Sequence, residues 1–378
     1  MLGSFEEEYA KIEGRYRSGR DSIRLSKLKR RLLSRPIVLF GLGFYGVPAY
    51  RNFVSHGIIP KCFCDSKKSG CEKETGLPIV SPTQLQQEYP HANIVISVAN
   101  PDNQKSIFRQ VRGLGFDEQQ IFTFDSVFQF LDKSVVEVTS LTFDEFQKHL
   151  AGYRWSYNFF SDDGSKRIVL ERINSYLFKD ILHYKEKEPA YFPRDLFSFS
   201  EKEVFVDGGL YTGDTSEAFI KLVNGKYRAV FGFDIDEANA SRARQNLSQY
   251  ENVHIITKGL WSKTDVLHAK LKQLAGSQIN QAGTVSIPVI SLDEYFSNTN
   301  VENFPTFIKM DIEGSEKHAL LGSKNIISTV RPKLAVCAYH KPEDIYDLPQ
   351  TILKIRRDYK FALRHYSPYT WETVLYAY

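Results

Sequence analysis

The stretch VFVDGGLYTGDT, residues 204–215, decides the fold of this chain. Its apolar start ends in Asp207, and the glycines Gly208, Gly209 and Gly213 follow. The apolar run predicts a strand, the glycines predict a tight turn through which backbone can approach a ligand, and the next residues predict a helix start. Because ligands of open α/β sheets collect beyond the carboxyl ends of the strands, the stretch predicts a nucleotide site. Glycines also serve ordinary turns, so one such turn is weak evidence alone.

A second apolar run that ends in acids makes the prediction more specific. Residues 227–236 read YRAVFGFDID, and Asp234 falls where a carboxylate accepts hydrogen bonds from both ribose hydroxyls. Acids within the first turn, Asp207 and Asp214, would repel a pyrophosphate. The pair of strands therefore favours a cationic, phosphate-free ligand such as S-adenosylmethionine.

Two further strands are expected to complete this site. Residues 253–258 form an apolar strand followed by Gly259, Leu260 and Trp261, whose apolar groups are candidates to flank an adenine. A strand entering a helix is predicted at 285–295.

The fourth central strand is predicted within residues 305–316, PTFIKMDIEGSE. Strand alternation would place Lys309, Asp311 and Glu313 on one side of the extended segment. Three charges at the end of a buried strand predict a functional role.

Composition limits the class of protein. The chain has 378 residues, 42% hydrophobic and 13% aromatic, which excludes a disordered chain and suggests two domains with a connector. The net charge of +4 comes from scattered lysines and arginines, so no nucleic-acid partner is predicted. The N-terminus has no signal-peptide pattern and no run is long enough for a membrane span, so we expect a cytoplasmic protein.

The four cysteines are expected to be reduced thiols. Cys62, Cys64 and Cys71 are close in sequence, but no fourth ligand with zinc-site spacing is nearby. A structural zinc site is therefore not predicted.

A second glycine-rich turn lies near the N-terminus, after a charged helical segment at 5–34. The buried strand at 36–40 runs into Gly41, Gly43 and Gly46, which form a G-x-G-x-x-G turn before a helix. The next strand, predicted at 58–64, ends at Asp65, the position expected for a ribose-binding acid. A third strand at 93–98 completes a small three-layer α/β domain.

This N-terminal segment has two interpretations: a bound dinucleotide or nucleotide-sugar with its phosphates on the helix N-terminus, or a scaffold that has no ligand. The motifs VLFGLG at 38–43, FCDS at 63–66, GLPIV at 76–80 and IVISV at 94–98 resemble the N-terminal domain of the nucleotide-sugar acyltransferases. That resemblance implies a sugar nucleotide as a second ligand.

The C-terminal half resembles the FkbM-type S-adenosylmethionine-dependent methyltransferases. The motifs that carry the resemblance are DGG at 207–209, GDT at 213–215, FD at 233–234, ISLD at 290–293 and, above all, IKMDIEGSE at 308–316. Leu210 replaces the usual alanine and Asp234 a frequent glutamate, and neither change removes a needed chemical group. The resemblance implies a cofactor site formed by Asp207, Gly208, Gly209, Gly213, Asp214, Thr215, Asp234, Ile235, Gly259, Leu260 and Trp261.

The tail of the chain is similar to the ending of one branch of that family. A strand is predicted to end at Tyr339 and His340, and two late strands, at 361–366 and 373–378, return antiparallel. The predicted fold is therefore α/β, with two Rossmann-like doubly wound domains, the C-terminal one a class I methyltransferase sheet that ends in an antiparallel hairpin. The expected parts are a helical cap at 1–34, a nucleotide-binding domain at 35–125, a helical connector at 126–200 and a methyltransferase domain at 201–378.

The predicted chemistry is O-methylation of a hydroxyl on a sugar, a glycan precursor or a related small molecule, in polysaccharide biosynthesis. His340 is the first candidate for the base, since an unperturbed imidazole can be neutral near pH 7; the alternative is a histidine that only shapes the rim. His365 is a weaker candidate. Asp311 is expected to contact the methionine amino group or the substrate, and Glu313 to orient a histidine or a substrate hydroxyl.

Other interpretations stay open at this point. The preferred site contains no metal, and a magnesium ion held by Asp311, Glu313 and His340 is the alternative. An NAD(P)-dependent oxidoreductase or a nucleotide-sugar-binding protein could use Gly41, Gly43, Gly46 and Asp65, with the later domain as scaffold. A non-catalytic sensing or assembly protein is the third class, and a homodimer is compatible with each of them.

Overall fold

The computed structural model describes residues 2–43, 45–98, 100–123, 141–180, 182–183, 189–270, 278–279, 285–367 and 369–378. The connector aromatics Phe128 and Phe130 lie outside these residues. The chain divides into two compact units. The N-terminal unit comprises Gly3–Thr142 and Ile173–Ile181, and the C-terminal unit comprises Met1–Leu2, Phe143–Arg172 and Leu182–Tyr378.

The N-terminal unit contains a six-stranded sheet with the order β3-β4-β2-β1-β5-β6 among its described residues. Its strands are β1 Ile37–Phe40, β2 Cys62–Cys64, β3 Gly70–Cys71, β4 Pro78–Val80, β5 Asn93–Ile96 and β6 Ile121–Phe122. Its helices are α1 Phe5–Arg17, α2 Arg20–Leu32, α3 Gly46–Ser55, α4 Pro82–Glu88 and α5 Pro101–Gly113, with a 3₁₀ turn at Glu118–Gln120. The pairings are parallel except for β3, which runs antiparallel to β4.

The sequence accounts for these elements. All four residues of β1 are buried, as expected for a strand covered on both faces. Ser4 caps α1 by accepting a hydrogen bond from the Glu7 backbone N–H. The second strand begins at Cys62, four residues later than predicted, because the Ile58 N–H bonds back to Phe53 and Pro60 has no N–H to donate.

The C-terminal unit is built on a seven-stranded sheet with the order β16-β17-β15-β14-β7-β8-β9 among its described residues. Its strands are β7 Val204–Gly208, β8 Ala229–Phe233, β9 Val253–Ile256, β14 Phe307–Met310, β15 Lys333–Cys337, β16 Phe361–His365 and β17 Thr373–Ala377. Five are mutually parallel, and β17 pairs antiparallel with both β15 and β16. The predicted α/β class and the antiparallel hairpin at the end of the sheet are confirmed.

Helices flank this sheet in the sequence order expected of α/β units. They are α6 Phe143–Phe159, α7 Asp163–Phe178, α8 Asp214–Leu222, α9 Glu237–Asn246, α10 Leu292–Tyr295, α11 Glu316–Leu321, α12 Lys324–Val330 and α13 Asp344–Ile355, with a 3₁₀ turn at Val301–Asn303. The end of α7, from residue 173, groups with the N-terminal unit. Within the described residues, no helix combines the length and apolar composition needed to cross a bilayer.

A separate small sheet has the order β10-β13-β11-β12, with β10 Gly259–Leu260, β11 Asp265–Lys270, β12 Gln278–Ile279 and β13 Val285–Ile290. The residues after β9 thus leave the central sheet and pair elsewhere. This places Trp261, which follows β10, beside the small sheet.

One core of the C-terminal unit is aromatic. Phe192 and Phe197 precede the first strand and pack with Phe205, Phe219 and Phe307. The rings of Phe205 and Phe307 are stacked with centroids 4.8 Å apart. This core supports β7 and β14, the two strands that present the acids described next.

Candidate active site

The carboxyl ends of four parallel strands meet at one edge of the central sheet. Gly208 of β7 pairs with Phe233 of β8 and with Met310 of β14, and Met310 pairs with Val336 of β15. Residues that directly follow these strands therefore lie at the same edge. This register brings together the predicted Asp234, Asp311 and His340.

Asp207 is fully buried and paired within the protein. Its Oδ1 lies 3.0 Å from Lys309 Nζ, and its Oδ2 accepts a hydrogen bond of 2.7 Å from Ser216. Burial raises the pKa of Asp207, against the attraction of Lys309. The negative charge of Asp207 is therefore compensated within the protein. Of the two acids expected to repel a pyrophosphate, Asp214 is the one that is exposed and can still do so.

The glycines of the first turn are required by protein packing. A Cβ on Gly209, which has φ +75°, would lie 1.8 Å from the Asp311 carbonyl oxygen. A Cβ on Gly208 would meet Leu260 at 2.8 Å, and one on Gly213 would meet Leu247 at 2.8 Å. The turn thus packs directly against the end of β14, whereas the sequence interpretation assigned its glycines to ligand approach.

Asp234 closes this turn from the second strand. Its Oδ2 accepts the Tyr211 N–H at 2.8 Å, and its Oδ1 accepts the Asp236 N–H at 2.8 Å. Burial raises the pKa of Asp234, while these backbone hydrogen bonds act in the opposite direction. The Asn239 side chain is a third hydrogen-bond partner, so the carboxylate is firmly oriented. A carboxylate offers about four acceptor sites, so one stays available to a ribose hydroxyl.

The residues predicted to flank an adenine are spread over two surroundings. Gly259 and Leu260 are buried, and the Trp261 ring stacks on His318 with centroids 3.8 Å apart and an angle of 13°. Trp261 and Ile235 both pack against Ile287 and Val289 of the small sheet. One face of the indole is therefore covered by the His318 imidazole.

The loop at 213–215 leads directly into α8. Asp214 is exposed at the first position of this helix, and Thr215 is half-buried. An acid in the first helical turn is favourable for the helix itself. The turn before this helix is held at two points: Asn246 donates to the Thr212 carbonyl at 2.9 Å, and Asp234 accepts the Tyr211 N–H at 2.8 Å.

Asp311 is held by two tyrosines that the sequence interpretation did not include. Tyr191 donates a hydrogen bond of 3.0 Å to Oδ2, and Tyr339 donates one of 2.9 Å to Oδ1. Burial acts to raise the pKa of Asp311, but the attraction of Lys309 and His340 outweighs it and the pKa is lowered. Asp311 is therefore an ionised and oriented acceptor.

His340 lies among three carboxylates. Its Nε2 is 3.5 Å from Asp311 Oδ1 and 3.4 Å from Glu313 Oε2, and its Nδ1 is 3.0 Å from Glu316 Oε1. Burial acts to lower the pKa of His340, yet the attraction of these carboxylates raises it well above its usual range. The neutral imidazole expected of a base at pH 7 is thus disfavoured by its neighbours.

The chain turns sharply between Asp311 and Glu316. Strand β14 ends at Met310, and Glu313 takes the left-handed conformation with φ +57° before Gly314 at φ +91°. Strand alternation therefore does not extend to Glu313, which corrects the prediction that Lys309, Asp311 and Glu313 share one side of a strand. Glu316 begins α11 and accepts the Ile312 N–H at 2.9 Å.

The acidic cluster continues to Asp344 at the start of α13. Its Oδ2 accepts the Lys341 N–H at 2.7 Å. Burial and the nearby Glu316 raise the pKa of Asp344 to about 7. Tyr191, Glu316 and Asp344 were missed as site residues because each reaches the cluster through tertiary packing; only Glu316, within the 308–316 motif, carried a sequence signal.

His365 is excluded as a competing base by its surroundings. It is fully buried in β16, and its Nδ1 lies 2.8 Å from the Thr373 hydroxyl on the neighbouring strand. This contact links the two strands of the hairpin. The buried His365 side chain therefore stabilises the pairing of the two hairpin strands.

The glycine turn of the N-terminal unit is closed by its own acid. Asp65 accepts the backbone N–H groups of Leu42, Lys67 and Lys68 at 2.9, 2.8 and 3.1 Å, and Lys68 Nζ donates to the Leu42 carbonyl. Burial acts to raise the pKa of Asp65, but these contacts lower it. The geometry resembles that of Asp234 and holds the turn.

Two glycines of that turn have contacts of their own. A Cβ on Gly41 would meet Val98 at 2.5 Å, and one on Gly46 would meet the Gly41 carbonyl at 2.8 Å, whereas Gly43 faces open space. Gly41 and Gly46 are therefore explained by packing.

The four cysteines, Cys62, Cys64, Cys71 and Cys337, are free thiols.

Comparison with known proteins identifies the C-terminal part. Residues 207–363 match the family model described as the methyltransferase FkbM domain. The match agrees with the resemblance carried by the motifs at 207–215 and 308–316. Among curated proteins, none matches the sequence significantly.

Comparison with solved structures supports the fold through one of the matches. The crystal structure of methyltransferase FkbM from Methylobacillus flagellatus KT covers 94% of this chain and 92% of its own, with 23% identity and a TM-score of 0.67. An rRNA methylase from Streptococcus thermophilus matches 47% of this chain and 86% of its own, with 16% identity and a TM-score of 0.31. Fibrillarin from Aeropyrum pernix, crystallised with natively bound S-adenosyl-L-methionine, matches 49% of this chain and 71% of its own, with 9% identity and a TM-score of 0.33. The shared fold rests on the first of these.

Proposed function

We propose that the chain is an S-adenosylmethionine-dependent O-methyltransferase that acts on a hydroxyl of a sugar, a glycan precursor or a related small molecule. The observation that carries the proposal is the placement of two oriented acids, Asp234 and Asp311, beyond β8 and β14, the two strands that flank β7 in the part of the chain matched by the methyltransferase FkbM domain. Asp234 is suited to the ribose hydroxyls. Asp311, ionised and held by two tyrosines, is suited to the methionine ammonium or an acceptor hydroxyl.

The charge of the site favours a cationic cofactor. Asp214 at the turn and Asp234 beyond it are acids without a paired cation at hydrogen-bonding distance among the described residues. A sulfonium and an ammonium group are attracted to such an edge, whereas a pyrophosphate is repelled. The buried Asp207 supports the turn through Lys309, whose Nζ also donates to the Gly209 carbonyl at 2.9 Å.

Methyl transfer needs few catalytic groups from the protein, because the sulfonium is already an activated methyl donor. Holding a hydroxyl in line with the methyl group supplies about 7–11 kcal/mol in well-oriented systems. A base that takes the hydroxyl proton adds roughly 10²–10⁴-fold. The cluster at the end of β14 is the part of the site that can supply this base.

We assign the proton acceptor to Glu313. Its side chain is 22% exposed, whereas His340 is 2% exposed and the attraction of the surrounding carboxylates raises its pKa well above the usual range. His340 is then a positioning residue that lies beside Glu313 and Asp311. An acceptor hydroxyl that donates to Glu313 would be activated as a nucleophile without direct contact with the imidazole.

The first test is calorimetric titration of the full chain with S-adenosylhomocysteine, and separately with NAD and a nucleotide-sugar. Asp234→Ala removes the carboxylate that orients the turn, and hydrogen bonds to a charged group contribute about 1.5–3 kcal/mol each. We expect at least a tenfold loss of S-adenosylhomocysteine affinity in this variant. Asp65→Ala, the same change at the matching position of the N-terminal unit, is the control and should bind as wild type.

The second test measures transfer of a labelled methyl group to a panel of sugars and nucleotide-sugars. Glu313→Gln should reduce turnover at least a hundredfold with S-adenosylhomocysteine affinity unchanged. Binding of NAD or a nucleotide-sugar alone, lost in Asp65→Ala, would overturn the proposal and move the function to the N-terminal unit. Full turnover in Glu313→Gln would overturn the assignment of the base.

A further inference from the structure

The surroundings of His340 contain more negative charge than the protein compensates. Three carboxylates, those of Asp311, Glu313 and Glu316, lie within 3.5 Å of the imidazole nitrogens. Asp344 adds a fourth carboxyl group close to Glu316. Buried carboxylates without a counter-charge are strongly unfavourable.

The nearby lysines offset only part of this charge, through the attraction of Lys309 for Asp311. Lys309 pairs with Asp207 at 3.0 Å, and Lys341 Nζ donates to the Gly314 carbonyl at 2.5 Å. The hydroxyls of Tyr191 and Tyr339 donate to Asp311 but carry no charge. The cluster therefore retains a net negative charge in a largely buried position.

Two buried side chains in the cluster have unmet polar atoms. His340 and Glu316 are 2% and 1% exposed, and both imidazole nitrogens and Glu316 Oε2 lack a partner with hydrogen-bonding geometry. The contacts of 3.0–3.5 Å to the imidazole are close charge contacts without that geometry. Buried polar groups in native proteins are normally satisfied, so these atoms point to a missing ligand.

We propose that Asp311, Glu316 and His340 bind one divalent cation, with Glu313 at the edge of the site. One ligand atom from each of the three residues lies within 4.8 Å of the other two. Around a small divalent ion with ligands at ~2.1 Å, neighbouring ligand atoms lie roughly 3.0 Å apart and opposite ones roughly 4.2 Å apart. Small side-chain adjustments therefore suffice to close the three ligands on an ion.

The imidazole has the second contact that metal-binding histidines use. With Nδ1, the nitrogen near Glu316, on the ion, Nε2 faces the carboxylate of Glu313 at 3.4 Å. Such a partner fixes the ring and its tautomer. Since two or three ligand atoms are carboxylate oxygens and one is an imidazole nitrogen, the site suits Mg²⁺ or Mn²⁺. Asp311 and Glu313 are 24% and 22% exposed, so the ion would keep a side open to water or an acceptor hydroxyl.

The test of ion binding does not depend on the proposed methyl transfer. The full chain is treated with chelator, dialysed and titrated with Mn²⁺, which is followed by calorimetry and by electron paramagnetic resonance. We expect one saturable Mn²⁺ per chain, displaced by Mg²⁺, and a spin-echo modulation from a directly bound imidazole nitrogen. Absence of saturable binding up to millimolar Mn²⁺, or binding without the nitrogen signal, would overturn the proposal in the unaltered protein.

Variants locate the ion. Glu316→Gln keeps the size of the side chain and its contact to the Ile312 N–H while removing the charge, and we expect at least a tenfold weaker Mn²⁺ affinity. Glu203→Gln removes a buried carboxylate at the opposite end of the same sheet, where Glu203 pairs with Lys333, and should bind Mn²⁺ within twofold of wild type. Equal affinity in wild type and Glu316→Gln would exclude the site. Unchanged S-adenosylhomocysteine binding with lost Mn²⁺ binding would separate this site from the cofactor site.

Discussion

Replacing Lys309 with methionine removes the cation that pairs with the most deeply buried acid of the site. Lys309 Nζ lies 3.0 Å from Asp207 and donates to the Gly209 carbonyl at 2.9 Å, and both side chains are 3% exposed or less. Methionine retains an unbranched apolar stem, so packing is largely kept. Breaking a buried pair by removing one partner costs about 3–5 kcal/mol, because the remaining charge is left uncompensated.

The three tryptophans, Trp155, Trp261 and Trp371, all lie in the C-terminal unit. Urea unfolding followed by tryptophan fluorescence therefore reports the unit that contains Lys309. We expect Lys309→Met to lower its free energy of unfolding by about 3–5 kcal/mol at pH 7.5. Lys333→Met breaks a pair at the other end of the sheet, where Lys333 is 25% exposed, and should lose less.

The double variant Asp207→Asn with Lys309→Met isolates the pair. It should be more stable than Lys309→Met alone, since no buried charge remains. The loss in Lys309→Met should also shrink as the pH falls. In that variant the folded-state pKa of Asp207 is raised above the unfolded value, so its contribution is present at low pH and is lost as the pH rises. A loss below about 1 kcal/mol in Lys309→Met, or additive effects in the double variant, would refute the reasoning.

Other predictions test the turn, the acid support and the N-terminal unit. Gly209→Ala should destabilise the C-terminal unit by more than about 2 kcal/mol in the same assay, since its Cβ would lie 1.8 Å from the Asp311 carbonyl oxygen; wild-type stability would contradict the observed packing. Tyr191→Phe, which removes the 3.0 Å hydrogen bond to Asp311, should lower kcat at least tenfold and leave S-adenosylhomocysteine affinity within twofold, and equal losses would count against a positioning role. Asp21→Asn breaks the 2.8 Å pair with Arg15, whose hydrogen bond lowers the pKa of Asp21. Thermal unfolding followed by circular dichroism should show a lower Tm for the variant than for wild type near pH 7, and this difference in Tm should close as the pH falls below ~3.9. A difference in Tm that does not change with pH would exclude the ion pair as its cause.

The central sheet was predictable because its signals are local. Apolar runs that end in acids at Asp207, Asp234 and Asp311 specify three strands, and parallel strands bring their carboxyl ends to one edge. The two late strands were likewise visible as separate apolar runs. Local pattern and topology together thus located Asp234, Asp311 and His340 in one region from the sequence.

The partners of these acids were not predictable, since they depend on packing between distant segments. Tyr191 is 120 positions from Asp311 and lies in a segment rich in aromatics with no periodic pattern that separates it from its neighbours. The alternation of side chains along a strand does not apply to Glu313, because β14 ends at Met310 and Glu313 itself has a left-handed backbone conformation. The raised pKa of His340 follows from carboxylates that only the folded chain brings together.

The charges at this edge alternate in sign, and this arrangement links stability to the proposed chemistry. Lys309 lies between Asp207 and Asp311, and its attraction contributes to the lowered pKa of Asp311. His340 in turn lies between Asp311 and Glu316. Removing the Lys309 cation should therefore raise the pKa of Asp311 and also leave the charge of Asp207 without a compensating cation. We expect the folded fraction of Lys309→Met to turn over more slowly than wild type, and normal turnover would show that Lys309 serves only the stability of the sheet.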